Sequence, residues 1–463
     1  MIPVESYRGR RVALFGLGGS GLATAKALVA GGADVTVWDD SASAIEKARA
    51  AGLHAADLRE LDWKGVAALV LSPGVPLTHP EPHWSVKLAH AFAVPVIGDV
   101  DLFFRERARR APDALVICIT GTNGKSTTTA LVAHLLAEAG FDVEMGGNIG
   151  TPVLELEPPA ADAPRRVHVL ECSSYQIDLA PTISPTIGIH LNLSPDHIDR
   201  HGTFDRYAAV KERMIAAAQI AIVGIDDPAS EAIALRHAKT GGRTVTLSVV
   251  AKHGASLHVT GRAIVNNQGD TLADLTGIGA LRGAHNGQNA AAAVAACLQL
   301  SVPRAVIQKG LSTFPGLAHR MEQVGRVGRA LAINDSKATN ADSTEKALLA
   351  FEQGLFWICG GKPKAGGIAD LAPLFPRVAK AYLIGEAAEA FSETLGDTVP
   401  HMIAGTLDVA VNQAVADANH SEFNEPVILL SPSCASFDQF PNFEVRGRTF
   451  RDLVSALPDF RPL

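Results

Sequence analysis

Apolar residues in this chain gather into short unbroken runs that alternate with longer stretches of helical character. Short apolar runs bounded by turn signals fit strands buried on both faces of a parallel sheet. Near the start, a run at 11–15 enters the turn Gly16-Leu17-Gly18-Gly19-Ser20-Gly21, a helix follows to about residue 30, and a second run at 34–38 ends in Asp39-Asp40. That is a βαβ unit. A further strand at 67–71 runs into Ser72-Pro73-Gly74-Val75, a second tight turn at a strand's C-terminal edge. From about residue 108 the pattern begins again, with a strand at 114–119, a helix at 127–139 and strands at 167–172, 186–191 and 220–225. Between about 244 and 274 it breaks into brief strands around Asn267-Gln268-Gly269, which predict a small antiparallel excursion, and a helix returns at 286–300. From about 317, strands at 330–334, 356–359, 381–384 and 426–430 alternate with helices at 343–351 and 450–457. The fold class is therefore α/β, in three domains bounded at 1–106, 107–316 and 317–463.

Composition fits a large enzyme with such sheets. The 463 residues are 47% hydrophobic and only 5% aromatic, which suits close helix-on-sheet packing. A net charge of −7 gives no basic footprint for nucleic acid, and the arginines between 105 and 110 form too short a cluster to change that; they read as a solvated helix end. Cysteines at 118, 172, 297, 359 and 434 lack Cys-x-x-Cys spacing and read as reduced core residues of a cytosolic protein. The first residues hold no apolar leader core, and no later run is long enough to span a bilayer.

The most informative stretch is Ile119-Thr120-Gly121-Thr122-Asn123-Gly124-Lys125-Ser126, between a buried strand and a helix. Glycines let successive N–H groups turn inward, the helix N-terminus adds positive partial charge, Lys125 can reach β- and γ-phosphates, and Ser126 can hold Mg²⁺. This makes the central domain P-loop ATPase-like, although Ile119 stands where the usual spacing has its first glycine. Gly16, Gly18 and Gly21 satisfy the dinucleotide fingerprint, with an acid at a suitable distance. Alone, that turn suggests NAD; together with the turn at 72–75 it could equally hold the diphosphate of a UDP-sugar. Glu171 ends a buried strand, so its carboxylate belongs on the ligand edge of the sheet as a Mg²⁺ ligand. In Asn192-Leu193-Ser194-Pro195-Asp196-His197, the exit of another strand brings Asp196 and His197 to that edge. Lys211 lies on the helix at 204–218 behind them, where a lysine is ordinarily a solvated surface residue.

These residues resemble the Mur ligases of peptidoglycan synthesis, ATP-dependent amide-forming enzymes related to folylpolyglutamate synthase. Residues 120–126 resemble that family's own short phosphate loop. Gly146-Gly147-Asn148-Ile149-Gly150, Glu171-Cys172-Ser173-Ser174-Tyr175-Gln176, Asp196-His197, and Asn286 with Asn289 resemble its other central signatures. His319-Arg320, Asn334-Asp335-Ser336-Lys337-Ala338-Thr339-Asn340 and the segment 431–440 extend the resemblance to the end of the chain. The last is similar to the branch that adds D-glutamate to UDP-N-acetylmuramoyl-L-alanine. No Asp-Asn-Pro-Arg sequence of the diaminopimelate-adding branch is present.

The resemblance implies two Rossmann-like domains flanking the central one, the first binding the UDP end of the substrate through Ser20, Asp39, Ser72 and Gly74 rather than NAD. It implies Lys125, Asn148, Glu171, His197 and Lys211 as catalytic residues, with Asn148, Ser173 and His197 also near substrate. ATP would meet Gly121, Thr122, Asn123, Gly124, Lys125, Ser126, Thr127, Asn286, Asn289, Arg320, Asp335 and Lys337. Two Mg²⁺ ions are implied, one held by Ser126 and Glu171, the other by His197 and a carbamylated Lys211. Thr339, Lys364, Ser436, Phe437 and Phe443 resemble the D-glutamate pocket, and Lys362 adds a second cation to that loop. The expected protein is a monomer that neither binds nucleic acid nor inserts into membranes.

Overall fold

The computed structural model describes residues 1–250, 254–363 and 366–462. Among them the strands form three sheets. The first has five parallel strands in the order His54–Ala55, Asp34–Trp38, Arg11–Phe15, Val66–Leu71 and Val96–Ile97. Its two central strands are apolar on both faces, as a sheet covered by helices on both sides requires. The order reverses beside Arg11–Phe15, and there the turns after Phe15 and Leu71 open side by side. Open α/β sheets bind ligands at such a switch point.

The second sheet has nine strands, with Leu115–Thr120 between Ile187–His190 and Arg166–Glu171, all parallel. Asp142–Gly147 closes one edge and Ile220–Gly224 continues the other. The antiparallel excursion starts later than the sequence pattern predicts. Arg243–Ser248 still pairs in parallel with Ile220–Gly224, and only Leu257–Thr260, Ala263–Asn266 and Thr271–Asp274 form antiparallel pairs. The third sheet has seven strands, in the order His401–Gly405, Val378–Ile384, Leu355–Gly360, Val427–Leu430, Ala330–Asn334, Glu322–Val327 and Phe460–Arg461. Its last two pairings are antiparallel. The strand Glu322–Val327 escaped the sequence reading because its residues are mostly half-buried and polar, and so lack an apolar run.

Two helix readings are corrected. The closing helix is Phe443–Ser455 and begins a full two turns earlier than periodicity indicates, where the Asn442 side chain accepts the Val445 N–H at 2.8 Å. The arginine cluster is not simply a solvated helix end, since Arg107 of Asp99–Arg110 is buried and donates to the carbonyls of Ala114 and Ser184. The five cysteines are free and buried, and no helix among the described residues is long and apolar enough to cross a membrane. The chain divides into two compact units, Met1–Thr276 with Gly287–Ser312, and Gly277–Asn286 with Thr313–Leu463.

Candidate active site

Backbone geometry in the first unit builds the phosphate loop before any side chain contributes. Gly121 and Gly124 have φ of +150° and +84°, values that favour glycine, and Gly124 caps the helix Lys125–Glu138. A Cβ on Gly124 would lie 2.2 Å from Asn289 Oδ1, so glycine also admits the close approach of Asn289. That oxygen accepts from Thr128 Oγ1 at 3.2 Å. The loop is braced from the other side, where Asn192 Oδ1 accepts the Asn123 N–H at 2.9 Å and Asn192 Nδ2 donates to Gln288 at 2.7 Å. Thr122 Oγ1 meets Tyr207 Oη at 3.1 Å. The Lys125 ammonium folds over the loop and donates to the carbonyls of Gly121 and Thr122. Ser126 is buried and Thr127 half-buried in the first helical turn.

Pairing of Ile119 with Glu171 sets the acid beside this loop. Glu171 is buried, and its Oε1 accepts from Asn148 Nδ2 at 2.7 Å. Its Oε2 is buried too and has no hydrogen-bond partner among the described residues. An orphaned carboxylate oxygen at the end of the strand paired with the one that leads into the loop of buried Ser126 suits a hard cation such as Mg²⁺, which also takes phosphate and water oxygens. No cluster of three or more His, Cys, Asp or Glu capable of holding a metal occurs among the described residues, so a metal here would depend on hydroxyl, carboxylate and substrate oxygens. Ser173 caps the helix Ser174–Asp178 in a reciprocal capping box with Gln176, which fixes the turn after Glu171.

His197 has φ of +54° and projects from the loop after Ile187–His190, exposed, with Nε2 3.4 Å from Asp196 Oδ2. Partial burial lowers its pKa, with Lys125 and Lys211 adding to the effect against Asp196. Lys211 departs from the ordinary surface lysine. It is buried on Phe204–Ala216, donates to Thr120 Oγ1 at 3.1 Å and to the Gly121 carbonyl at 2.9 Å, and lies over the Tyr207 ring. Burial, then the charge of Lys125, drives its pKa well below that of a free lysine.

The glycine loop of the first sheet is held from within. Asp39 accepts the N–H of Leu17 at 2.6 Å and that of Ser41 at 2.8 Å, which orders the turn beside Ser20. A Cβ on Gly16 would lie 2.4 Å from Ser72 Cβ, so the two turns touch only because that residue is glycine. The Gly74 carbonyl accepts from Arg200, three residues beyond His197, at 3.0 Å. Ser20, Asp39, Ser72, Gly74 and the phosphate loop thus belong to one compact unit.

In the second unit, Asp335 is buried, and its oxygens accept from Ser431 Oγ at 2.9 Å and the Met321 N–H at 3.2 Å. Burial raises its pKa to about 7. Lys337 Nζ lies 3.8 Å from the Phe443 ring centroid. Arg320 is exposed, Thr339 half-buried, Ser436 buried and Phe437 68% exposed. Asn286 Nδ2 donates to the Arg282 carbonyl at 2.7 Å. Lys364 lies outside the described residues. The Lys362 N–H donates to the Ala435 carbonyl at 2.9 Å, joining the Gly360-Gly361 turn to the segment 431–440.

Residues 119–297 match the Mur ligase middle domain, and residues 319–434 match the Mur ligase glutamate ligase domain. The UDP-N-acetylmuramoylalanine–D-glutamate ligase of Brucella abortus is 57% identical, over 100% of this chain and 99% of its own length. The enzyme of that name from Nitrobacter hamburgensis is 59% identical over the full length of both. The chain belongs to the Mur ligase family. As a Mur ligase it is an ATP-dependent ligase of peptidoglycan precursor synthesis. The fold agrees with solved Mur ligases at low identity. The UDP-N-acetylmuramate–alanine ligase of Thermotoga maritima is 18% identical, with 96% of this chain and 98% of that one covered at a TM-score of 0.59. MurF of Acinetobacter baumannii, also 18% identical, covers 98% and 93% at 0.57.

Several residues that shape the loops of this Mur ligase, in one unit or the other, carried no assigned role in the sequence reading. Asn192 braces the phosphate loop, Tyr207 touches it, and Gln176 locks the turn after Glu171. Arg446 is fully buried and donates to Ser336 Oγ and to the carbonyls of Ser336, Cys434 and Ala435. The signal for Asn192 was its place at the exit of a strand; an arginine within a helical stretch gave none.

Proposed function

We propose that this Mur ligase adds D-glutamate to UDP-N-acetylmuramoyl-L-alanine, with ATP converted to ADP and phosphate. The observation that supports the chemistry best is the orphaned Oε2 of buried Glu171, on the sheet edge that also carries Lys125 and Ser126. The names of the full-length relatives support the substrates.

The substrate's L-alanyl carboxylate attacks the γ-phosphorus of ATP, an O–P bond forms, and the β,γ-bridging oxygen leaves with ADP. Lys125 swings from its loop carbonyls onto the phosphates and offsets the repulsion between the two anions. The amine of D-glutamate then attacks the acyl phosphate carbonyl, loses a proton, and expels phosphate as the C–N bond is completed. Holding carboxylate, phosphoryl group and amine together is worth roughly 7 to 11 kcal/mol of the barrier. Ser126 and Glu171 would hold one Mg²⁺, and His197 with carbamylated Lys211 a second; bound magnesium supplies charge neutralisation at the phosphates. Lys211 is suited to that modification, since burial favours its neutral form, and a neutral amine can add to CO₂ with loss of one proton and so become an anionic oxygen ligand.

Ser20, Asp39, Ser72 and Gly74 bind the UDP end, with Asn148, Ser173 and His197 nearer the reacting carboxylate. Asn286, Asn289, Arg320, Asp335 and Lys337 contact ATP, and Thr339, Lys364, Ser436, Phe437 and Phe443 receive D-glutamate. The domain boundaries at 106 and 316 belong to this reading. Phosphate release from ATP, Mg²⁺ and UDP-N-acetylmuramoyl-L-alanine tests the assignment when D-glutamate is compared with L-glutamate, L-alanine, L-lysine and meso-diaminopimelate. Release with D-glutamate alone is expected; release with another amino acid instead reassigns the substrate.

A further inference from the structure

Two acids open the helix Asp99–Arg110, and they are treated differently. Asp101 is fully engaged: it accepts the N–H and hydroxyl of Thr182 at 2.8 and 2.7 Å and the Arg105 guanidinium at 2.6 Å. Asp99 is 4% exposed, yet only its Oδ1 is satisfied, by the Val100 N–H at 2.9 Å. Its Oδ2 is buried without a hydrogen-bond partner among the described residues. A carboxyl placed this way loses hydration and gains nothing for the helix that Asp101 does not already supply.

The surroundings give Asp99 a role. It lines a cavity of about 10 Å³ together with Ser20, Thr24, Ser72 and Pro73, close to the smallest space that admits one water molecule. Ser20 and Ser72 come from the two turns assigned above to the UDP end of the substrate. On its other side, the Gln176 side chain works against the burial by favouring the charged form of Asp99, and Gln176 Oε1 accepts from Ser173 in the turn after Glu171. The helix start is bolted to the same region, because the Gly98 N–H donates to the Leu179 carbonyl at 2.8 Å. Burial raises the pKa of Asp99, so the group is suited to share a proton with a water as well as to accept from one.

We propose that Asp99 is a positioning residue for the nucleotide-sugar substrate: through a water in this cavity it sets the two serine turns relative to each other. The inference rests on the reading of those turns as the UDP subsite. The test is calorimetric titration of UDP-N-acetylmuramoyl-L-alanine into the full chain, with KM and kcat measured for each substrate and a melting curve for each variant. Asp99→Leu, which fills the cavity and removes the acceptor, should raise Kd and KM for the nucleotide-sugar by about tenfold while KM for ATP stays unchanged. Asp99→Asn, of the same shape, should stay within about threefold of wild type. A folded Asp99→Leu that binds the nucleotide-sugar normally overturns the proposal, and so does one in which all KM values rise together. Should Asp99→Leu fail to fold, Thr24→Val on the same cavity decides, by a selective rise or its absence. Failure of the wild-type chain to bind the nucleotide-sugar removes the UDP reading itself, and the proposal with it.

Discussion

Two clusters of buried polar groups, one in each compact unit, are treated in opposite ways. Around the phosphate loop, groups are brought close and left with capacity: among the described residues Glu171 keeps an oxygen without a hydrogen-bond partner, and buried Lys211 has only a hydroxyl and a carbonyl as acceptors. In the second unit the corresponding groups are engaged internally. Asp335 is bonded by Ser431 and Met321, and Arg446 is surrounded by Ser336 and three carbonyls. On the proposed reading, the difference separates groups left open for a ligand, Glu171 and Lys211, from a group that holds loops in shape, Arg446. In the first unit, substitutions should abolish chemistry while leaving stability intact; in the second, stability should suffer first.

The largest effect expected on that view belongs to Glu171 and Lys211. Glu171→Gln and Lys211→Ala should each lower kcat on the order of a thousandfold. Unfolding midpoints should stay close to wild type, because neither change breaks a buried ion pair. Added short-chain carboxylates should restore part of the activity of Lys211→Ala by occupying the place of the carbamate. An unsupplemented Lys211→Ala with full activity would remove that lysine from the mechanism.

Arg446 should show the reverse. Arg446→Met removes the guanidinium's hydrogen bonds to Ser336 Oγ and to the carbonyls of Ser336, Cys434 and Ala435, and should cost the second unit about 3 kcal/mol. Trp357 is the tryptophan of that unit and donates to the Ser431 carbonyl at 2.8 Å, so its fluorescence reports the transition directly in urea. A midpoint equal to wild type, with activity lost, would place Arg446 among the ligand-binding residues and erase the contrast.

How much of this was legible beforehand follows the same division. Strands such as Leu115–Thr120 and Arg166–Glu171 announced themselves by apolar runs, and the residues at their ends were singled out because chemistry in α/β sheets gathers there. Strand Glu322–Val327 did not, since a strand whose residues are mostly half-buried and polar loses the apolar signature. The burial of Lys211 was equally invisible: a helix pattern gives its face but not which strand end it will cover. Side chains that brace loops, such as Asn192 and Arg446, act on partners 69 and 110 residues away, and no local pattern encodes that pairing.

Asp335 sharpens the comparison through pH. Its pKa is raised from 3.8 to about 7 by burial, so the folded state holds a proton that the unfolded chain releases between those values. For a raised carboxyl the contribution to stability is present below pH 4 and is lost as pH rises toward 7. Asp335→Asn, which cannot ionise, should therefore gain on wild type as pH rises from 4 to 8. A gain of roughly 2 kcal/mol, about half of what the full shift implies, is expected in the ATP-free protein. Parallel stability curves for the two proteins would mean that Asp335 is already ionised in the folded state.

The smallest effect belongs to the residue that breaks the pattern of the second unit. Phe437 is 68% exposed in a segment whose neighbours Cys434 and Ser436 are buried, and a ring that size gains little by standing in water. If it covers the amino-acid substrate, Phe437→Ala should raise KM for D-glutamate several-fold, near 1 kcal/mol, while leaving the Trp357 transition and KM for ATP unmoved. A fall in stability instead would make it one more scaffold residue, and the second unit would then offer the amino acid only the hydroxyls and cations of its loops.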